Sequence, residues 1–243
     1  MKKYRPFLVL PLLALFLFSV LPGAVARAPA GSLPQVVDAP VLFDRPVPAG
    51  ADVGAAWFSD AVFLGDSRTT NLKDSNSLEG GLWLSLSGLN VRTARTYSDF
   101  SVDGQALSIA QALEGKNYPK IYIALGVNEA SWMADADFYA EYAGLIDDLR
   151  ALLPDASIYI QTILPVTVAR AAARSPDNAL LSSRNDLLRR LAREKRVYLV
   201  DAAAALTAEN GALPREYSED GLHLNPLACQ IWADYLKTHT VGK

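Results

Sequence analysis

Along the chain, short apolar runs stop repeatedly at a glycine, a proline or an acid, and the stretches between them repeat their apolar positions every three or four residues. "AVFLG" ends at Gly65, "LWLSLSG" at Gly88, "KIYIALG" at Gly126, "SIYIQTILP" at Pro165 and "RVYLVD" at Asp201. Each run has strand length and an apolar, β-branched or aromatic bias, so five strands are expected. In the second, Leu82, Leu84 and Leu86 alternate with Trp83, Ser85 and Ser87. Helical spacing is clearest over "DFYAEYAGLIDDLRALL", where Phe138, Tyr142, Leu145, Leu149 and Leu152 share a face. "NDLLRRLAREK" places Leu187, Leu188 and Leu191 together, and "NPLACQIWADYLK" starts with Asn225 as a cap and Pro226 at the first helical position. "VRTARTYSDFSV" fits neither period; it is read as an irregular excursion, with a further strand or hairpin as the alternative. Strands alternating with helices imply right-handed crossovers and a parallel sheet covered on both faces, an α/β fold.

The N-terminus follows another pattern. Lys2, Lys3 and Arg5 precede an apolar stretch, and Ala24 and Ala26 fit an A-x-A cleavage pattern after the helix breakers Pro22 and Gly23. Residues 1–26 are therefore expected to be an export signal that takes the protein out of the cytoplasm. An uncleaved anchor over residues 7–26 is the competing reading, because the stretch is long enough to span a bilayer. No cysteine lies near the site for lipid attachment. Residues 27–55, rich in Pro, Ala, Gly and Val, read as a linker or an extended segment draped on the domain, which occupies 56–243.

Composition narrows the chemistry. The 243 residues are 51% hydrophobic and 20% charged, enough for one well-buried core. The formal charge of -3 offers no basic excess for phosphates, so nucleic acid is an unsuitable partner. One cysteine, Cys229, and two histidines, His223 and His239, leave no Cys/His metal cluster and no internal disulfide. No metal or cofactor is expected, and Cys229, inside the last helix, reads as a buried inert thiol.

In open parallel sheets, sites form outside the carboxyl ends of the strands. Ser67 follows the first strand in "FLGDSRTT", Gly88 the second and Asn128 the third, so one sheet edge gathers all three. A serine opening a helix lies among free N–H groups at the positive end of the dipole, which suits an oxyanion. Each residue also has an ordinary reading: a helix cap for Ser67, an Asx turn for Asn128, a positive φ for Gly88. Asp66 reads as a tie within the loop. A hydroxyl nucleophile needs a base, and His239 lies four residues from the C-terminus. That leaves His223 in "SEDGLHLNP", with Asp220 three residues before it, a spacing that can bring a carboxylate to one ring nitrogen.

Taken together and in order, "FLGDSR", Gly88, "ALGVNE" and "EDGLHLNP" resemble the four blocks of the SGNH hydrolases, also called the GDSL esterase/lipase family, over nearly all of residues 60–240. The resemblance implies Ser67 as nucleophile, and Asp220 and His223 as the rest of a catalytic triad. It also implies an oxyanion hole from the N–H groups of Ser67 and Gly88 and the side-chain amide of Asn128. The implied fold is a three-layer α/β/α sandwich, flavodoxin-like, with a five-stranded parallel sheet in the order 2-1-3-4-5. Arg68 stands where the family name has leucine and Glu129 where aspartate is commoner, and the chain looks most like the family's exported bacterial branch. No G-x-S-x-G elbow occurs, against an α/β-hydrolase.

The expected activity is hydrolysis of small, acetyl-type acyl esters, on extracellular or cell-wall carbohydrate. An O-acyltransferase with the same triad is the alternative, and a lipase or an inactive binding module is less favoured. The loops around the site are polar, which disfavours long acyl chains. Arg68, Glu129 and Trp132 are candidate substrate contacts: a cation for an anionic group, with a solvated or supporting role as the alternative; a polar neighbour for hydroxyls; and a stacking face for a sugar, with core packing as the alternative.

Overall fold

The computed structural model describes residues 43–173 and 176–241; the expected export signal and residues 27–42 lie outside them. The five expected strands are present as β1 (Ala61–Gly65), β2 (Leu82–Ser85), β5 (Lys120–Ala124), β6 (Ser157–Gln161) and β7 (Tyr198–Val200). They form one parallel sheet in the order β2-β1-β5-β6-β7, which is 2-1-3-4-5 counted within the sheet. The ambiguous stretch resolves into a helical turn, α2 (Val91–Ala94), and a two-stranded antiparallel ribbon, β3 (Phe100–Val102) with β4 (Gln105–Leu107).

The remaining helices are α1 (Ser67–Asp74), α3 (Ile109–Leu113), α4 (Asp135–Leu152), α5 (Val168–Ala173), α6 (Asn178–Lys195), α7 (Ala202–Leu206) and α8 (Pro226–Thr238). Strand side chains alternate between two cores. Leu64, Ile123 and Ile160 meet Leu145, Leu149 and Leu188 of α4 and α6 on one face. Phe63, Tyr122 and Tyr159 meet Leu72, Leu206 and Trp232 of α1, α7 and α8 on the other. Asn225 caps α8 by accepting from Ala228 N–H at 3.0 Å, and Cys229 is buried in that helix.

On the second face, aromatic rings stack from strand to strand. Trp83, Phe63, Tyr122, Tyr159 and Tyr198 are register partners in turn, with centroids 4.0, 5.4, 4.6 and 4.8 Å apart. The tyrosine hydroxyls hold the chain end: Tyr122 bonds the Thr240 hydroxyl at 2.8 Å, and Tyr159 donates to the Val241 carbonyl at 3.1 Å. The segment before the first strand lies against the domain, with Val47 N–H donating to Leu199 and Gly50 N–H to Thr238. Among the described residues, no helix is long and apolar enough to cross a membrane.

Gly65 ends β1 where only a hydrogen fits. A Cβ there would run into the Thr69 side chain and the Ala124 carbonyl, so the glycine lets α1 start directly over the sheet edge. Gly65→Ala should therefore cost about 2–3 kcal/mol, as overpacking a tight site does. Thermal unfolding would read this as a lowered Tm, and an unchanged Tm would show that α1 lifts away freely.

Candidate active site

Three strand ends of the sheet and the turn before α8 converge on Ser67. Asp66 caps α1 by accepting from Arg68 N–H at 2.9 Å, which fixes Ser67 as the first helical residue with its N–H lacking an intrahelical acceptor. One turn later, Asn71 accepts from Leu224 N–H at 3.1 Å and ties α1 to the turn that carries His223. Sequence reasoning passed over Asn71; its signal is the spacing of four from Ser67, which puts both on one helix face.

The Asp220–His223 turn is organised by one carboxylate. Asp220 Oδ1 accepts from Leu222 N–H at 2.9 Å and His223 N–H at 2.8 Å, while Oδ2 takes the His223 ring at Nδ1, 2.7 Å away. Burial opposes ionisation of Asp220, but these N–H groups and the imidazole outweigh it and hold the carboxyl well below the usual range. An ionised Asp220 fixes the proton of neutral His223 on Nδ1. Nε2, 3.0 Å from Ser67 Oγ, is then left as the acceptor for the hydroxyl. Hydroxyl, imidazole and carboxylate thus form one hydrogen-bonded chain.

Two neighbouring loops carry uncommitted amide donors. Gly88 is exposed with φ +80°, a conformation natural to glycine, and its N–H meets no acceptor among the described residues. Asn128 donates from Nδ2 to the Leu89 carbonyl at 2.9 Å, which leaves its second amide hydrogen available. Glu129 makes a second tie between the same loops, accepting from Val91 N–H at 2.9 Å. Leu86 N–H bonds to Gly65 O at 3.2 Å and Thr70 Oγ1 to Ser85 Oγ at 3.1 Å, which lock the loop after β2 to α1.

The three expected substrate contacts separate. Trp132 is 56% exposed, and its indole N–H donates to the Asn128 carbonyl at 2.8 Å, so a fixed aromatic face stands beside the site. Arg68 and Glu129 instead point inward, a correction to the sequence reading. Arg68 follows a serine at a helix start and lies on the sheet-facing side; it is 3% exposed and donates from Nη1 to the Leu164 carbonyl at 2.6 Å. Burial lowers its pKa to about 10. Glu129 is fully buried, with Oε2 unpartnered among the described residues, and burial raises its pKa to about 7. Both side chains are enclosed by protein.

A family model for the GDSL-like lipase/acylhydrolase family matches residues 63–231, most of the chain. The chain belongs to that family, the SGNH ester hydrolases. No curated protein matches it in sequence. Among solved structures of the same fold, one from Streptococcus pneumonia, named for platelet activating factor, is 22% identical with a TM-score of 0.61, covering 76% of this chain and 84% of its own. An acetyl xylan esterase, AlAXEase, is 15% identical with a TM-score of 0.55 over 72% and 96% of the two chains. A variant of the acetyl-xylooligosaccharide esterase Axe2 from Geobacillus Stearmophilus is 14% identical with a TM-score of 0.54 over 72% and 91%.

Glu129 gives a pH dependence. Its pKa rises from 4.5 to about 7 on folding, so between these values the folded state binds the proton that the unfolded state has released. Stability from this group falls as pH rises through that window. In Glu129→Gln, which mimics the protonated acid, the stability gain over wild type should grow from near zero at the acid end to roughly 1–3 kcal/mol at the neutral end. Denaturant unfolding across the window measures it, and a pH-independent difference between the two proteins would refute the assignment.

Proposed function

We propose that this protein is an exported serine esterase that removes small, acetyl-type acyl groups from extracellular or cell-wall carbohydrate. The observation that carries the reading is the hydrogen-bonded chain Ser67–His223–Asp220. Ser67 Oγ attacks the ester carbonyl carbon as its proton passes to His223 Nε2, and Asp220 stabilises the imidazolium. The carbonyl oxygen gains the negative charge and is held by the N–H groups of Ser67 and Gly88 and by Asn128 Nδ2. The tetrahedral species then collapses: the bond to the alcohol oxygen breaks, and that oxygen takes the proton from Nε2. Water attacks the acyl-serine in the same way, giving the free acid and restoring Ser67.

Water access favours hydrolysis over transfer. The His223 and Asp220 side chains are 42% and 48% exposed, so water can approach the imidazole that would activate it, although Ser67 itself is buried, whereas a transferase must exclude water in favour of its acceptor. Small acyl groups suit the surroundings. Among the described residues the exposed large apolar side chains are Trp132, Leu152, Val168 and Leu227, and only Trp132 lies in the loops carrying Ser67, Gly88 and Asn128. A single indole face in these loops fits a sugar ring better than a fatty chain. The two acetyl esterases of xylan and xylo-oligosaccharides among the fold relatives point the same way. Export rests on the N-terminal 26 residues, and mass spectrometry of the extracellular protein should show Arg27 as the first residue.

Ser67→Ala should lower kcat/KM for nitrophenyl acetate by about 10^4-fold, and Asn128→Ala by about 10^2- to 10^3-fold, the loss of one oxyanion donor. Equal turnover by wild type and Ser67→Ala would end the nucleophile assignment. Across a series of nitrophenyl esters, kcat/KM should be greatest at about two to four carbons and fall steeply by about eight, because the loops carrying Ser67, Gly88 and Asn128 are polar and reward added methylenes little. A maximum at octanoate or longer would overturn the small-acyl reading. For an acetylated oligosaccharide, Trp132→Ala should cost about tenfold in kcat/KM through KM, and Trp132→Phe should recover most of it by keeping the aromatic face.

A further inference from the structure

Beside the Asp220–His223 turn, a groove of about 1000 Å³ runs between α5 and the chain segment from Ala208 to Gly221. Asn210 lies where it meets a second groove, of about 510 Å³, over the ends of β6 and β7. The larger groove is rooted in the site. Thr167 N–H donates to the Gly221 carbonyl at 3.0 Å, and Thr167 Oγ1 in turn accepts from Arg170 N–H at 3.2 Å. A Cβ at Gly221 would strike Thr167 Oγ1 and Arg170 Cβ, so Arg170 is packed against the residue that follows Asp220.

Two cations line this groove, Arg170 and Arg215, and among the described residues neither side chain has a hydrogen-bond or ion-pair partner. Among the described residues Arg92, Arg95, Arg184, Arg189 and Arg190 sit in ion pairs, while Arg45, Arg193 and Arg196, outside the groove, also have none. Arg170 Nε is cut off from solvent without an acceptor. Glu219 shares the groove but pairs with neither arginine, and Asp220 is committed to His223. The two acids balance the formal charge of the lining, but the two uncommitted guanidinium groups at the edge of the site offer planar donors suited to carboxylate or phosphate.

Resting on the esterase reading above, we propose that this groove is the subsite for the alcohol side of the substrate, an acylated carbohydrate bearing carboxylate or phosphate groups. Arg170 and Arg215 hold the anion while the ester lies at Ser67. The neighbouring groove lets a longer chain continue over β6 and β7. The anion takes no part in the reaction; it selects which ester is presented.

Calorimetric titration of the full chain carrying Ser67→Ala tests this without turnover. The probes are unesterified trigalacturonate for carboxylate, glycerol 3-phosphate for phosphate, and xylotriose as the neutral control. At least one anionic probe should bind about tenfold or more tighter than xylotriose, with the preference shrinking as salt screens it. Adding Arg170→Gln and Arg215→Gln should abolish the preference, with circular dichroism confirming the fold. Equal binding of charged and neutral probes, no binding of any probe, or a preference that survives the double arginine substitution would overturn the proposal. Nitrophenyl acetate turnover by wild type reports on the esterase reading separately. Turnover without an anion preference sinks the subsite alone, and an anion preference without turnover sinks the esterase alone.

Discussion

Ser67 and His223 are separated by 156 residues, yet their side chains must meet within a hydrogen bond. The constraint that makes this possible is the bond from Leu224 N–H to Asn71, which fastens the turn before the last helix to the first helix after β1. Every other feature of the site is positioned relative to this junction. Asp66 and Gly65 fix where α1 begins; Asp220 folds its own turn while orienting the imidazole; Leu86 and Thr70 bring the loop after β2 alongside. The site is therefore built from hydrogen bonds between loops, most of them from side chains that do not react, and the reactive side chains occupy positions those ties have already determined.

Beneath it lies an unusual amount of polar material. Asp66, Arg68, Thr69, Glu129 and Tyr142 are all buried, and several of their polar atoms have no partner among the described residues. Burial raises the pKa of Asp66 and Glu129 alike, with each carboxyl close to other charges of the cluster. Such a layer is expensive relative to apolar packing. In return Glu129 holds the N-terminus of α2, which an alkyl side chain could not do, and through it the loop that presents Gly88. The cost is placed where loop position matters most.

The strands of the main sheet were legible because each is a compact run of apolar, β-branched or aromatic residues ending at a breaker, a pattern imposed by burial on both faces. The β3–β4 ribbon was not, since its three-residue strands bury only Phe100 fully and follow no period. Helix α6 begins at Asn178, well before the apolar repeat at Leu187, because its first turns carry Ser182, Ser183, Arg184 and Asn185. Arg184 and Asn185 are nonetheless buried: Arg184 donates from Nη2 to the Met133 carbonyl and pairs with Asp135, with its Nε lacking an acceptor among the described residues, and Asn185 donates to the Ile163 carbonyl. The same limit explains Arg68 and Glu129. A charged residue in a sequence reads as solvated, and only the tertiary neighbours, the Leu164 carbonyl and the Val91 N–H, reveal that it faces inward. The Ser67, Asp220 and His223 positions stood out because so few histidines compete for the role.

The row of stacked rings from Trp83 to Tyr198 runs across the whole sheet at a single level. A slip of one residue in any strand would turn its ring to the opposite face and break one stack at a sheet edge or two within the sheet, so the strands keep their alignment through contacts that owe nothing to the loops. The loops at the carboxyl edge are thereby released from any duty of holding the sheet together. They can lengthen, shorten or exchange residues over evolutionary time while the platform beneath them stays in place, and a lineage with this scaffold can change the ester it recognises without having to reinvent the fold that presents it.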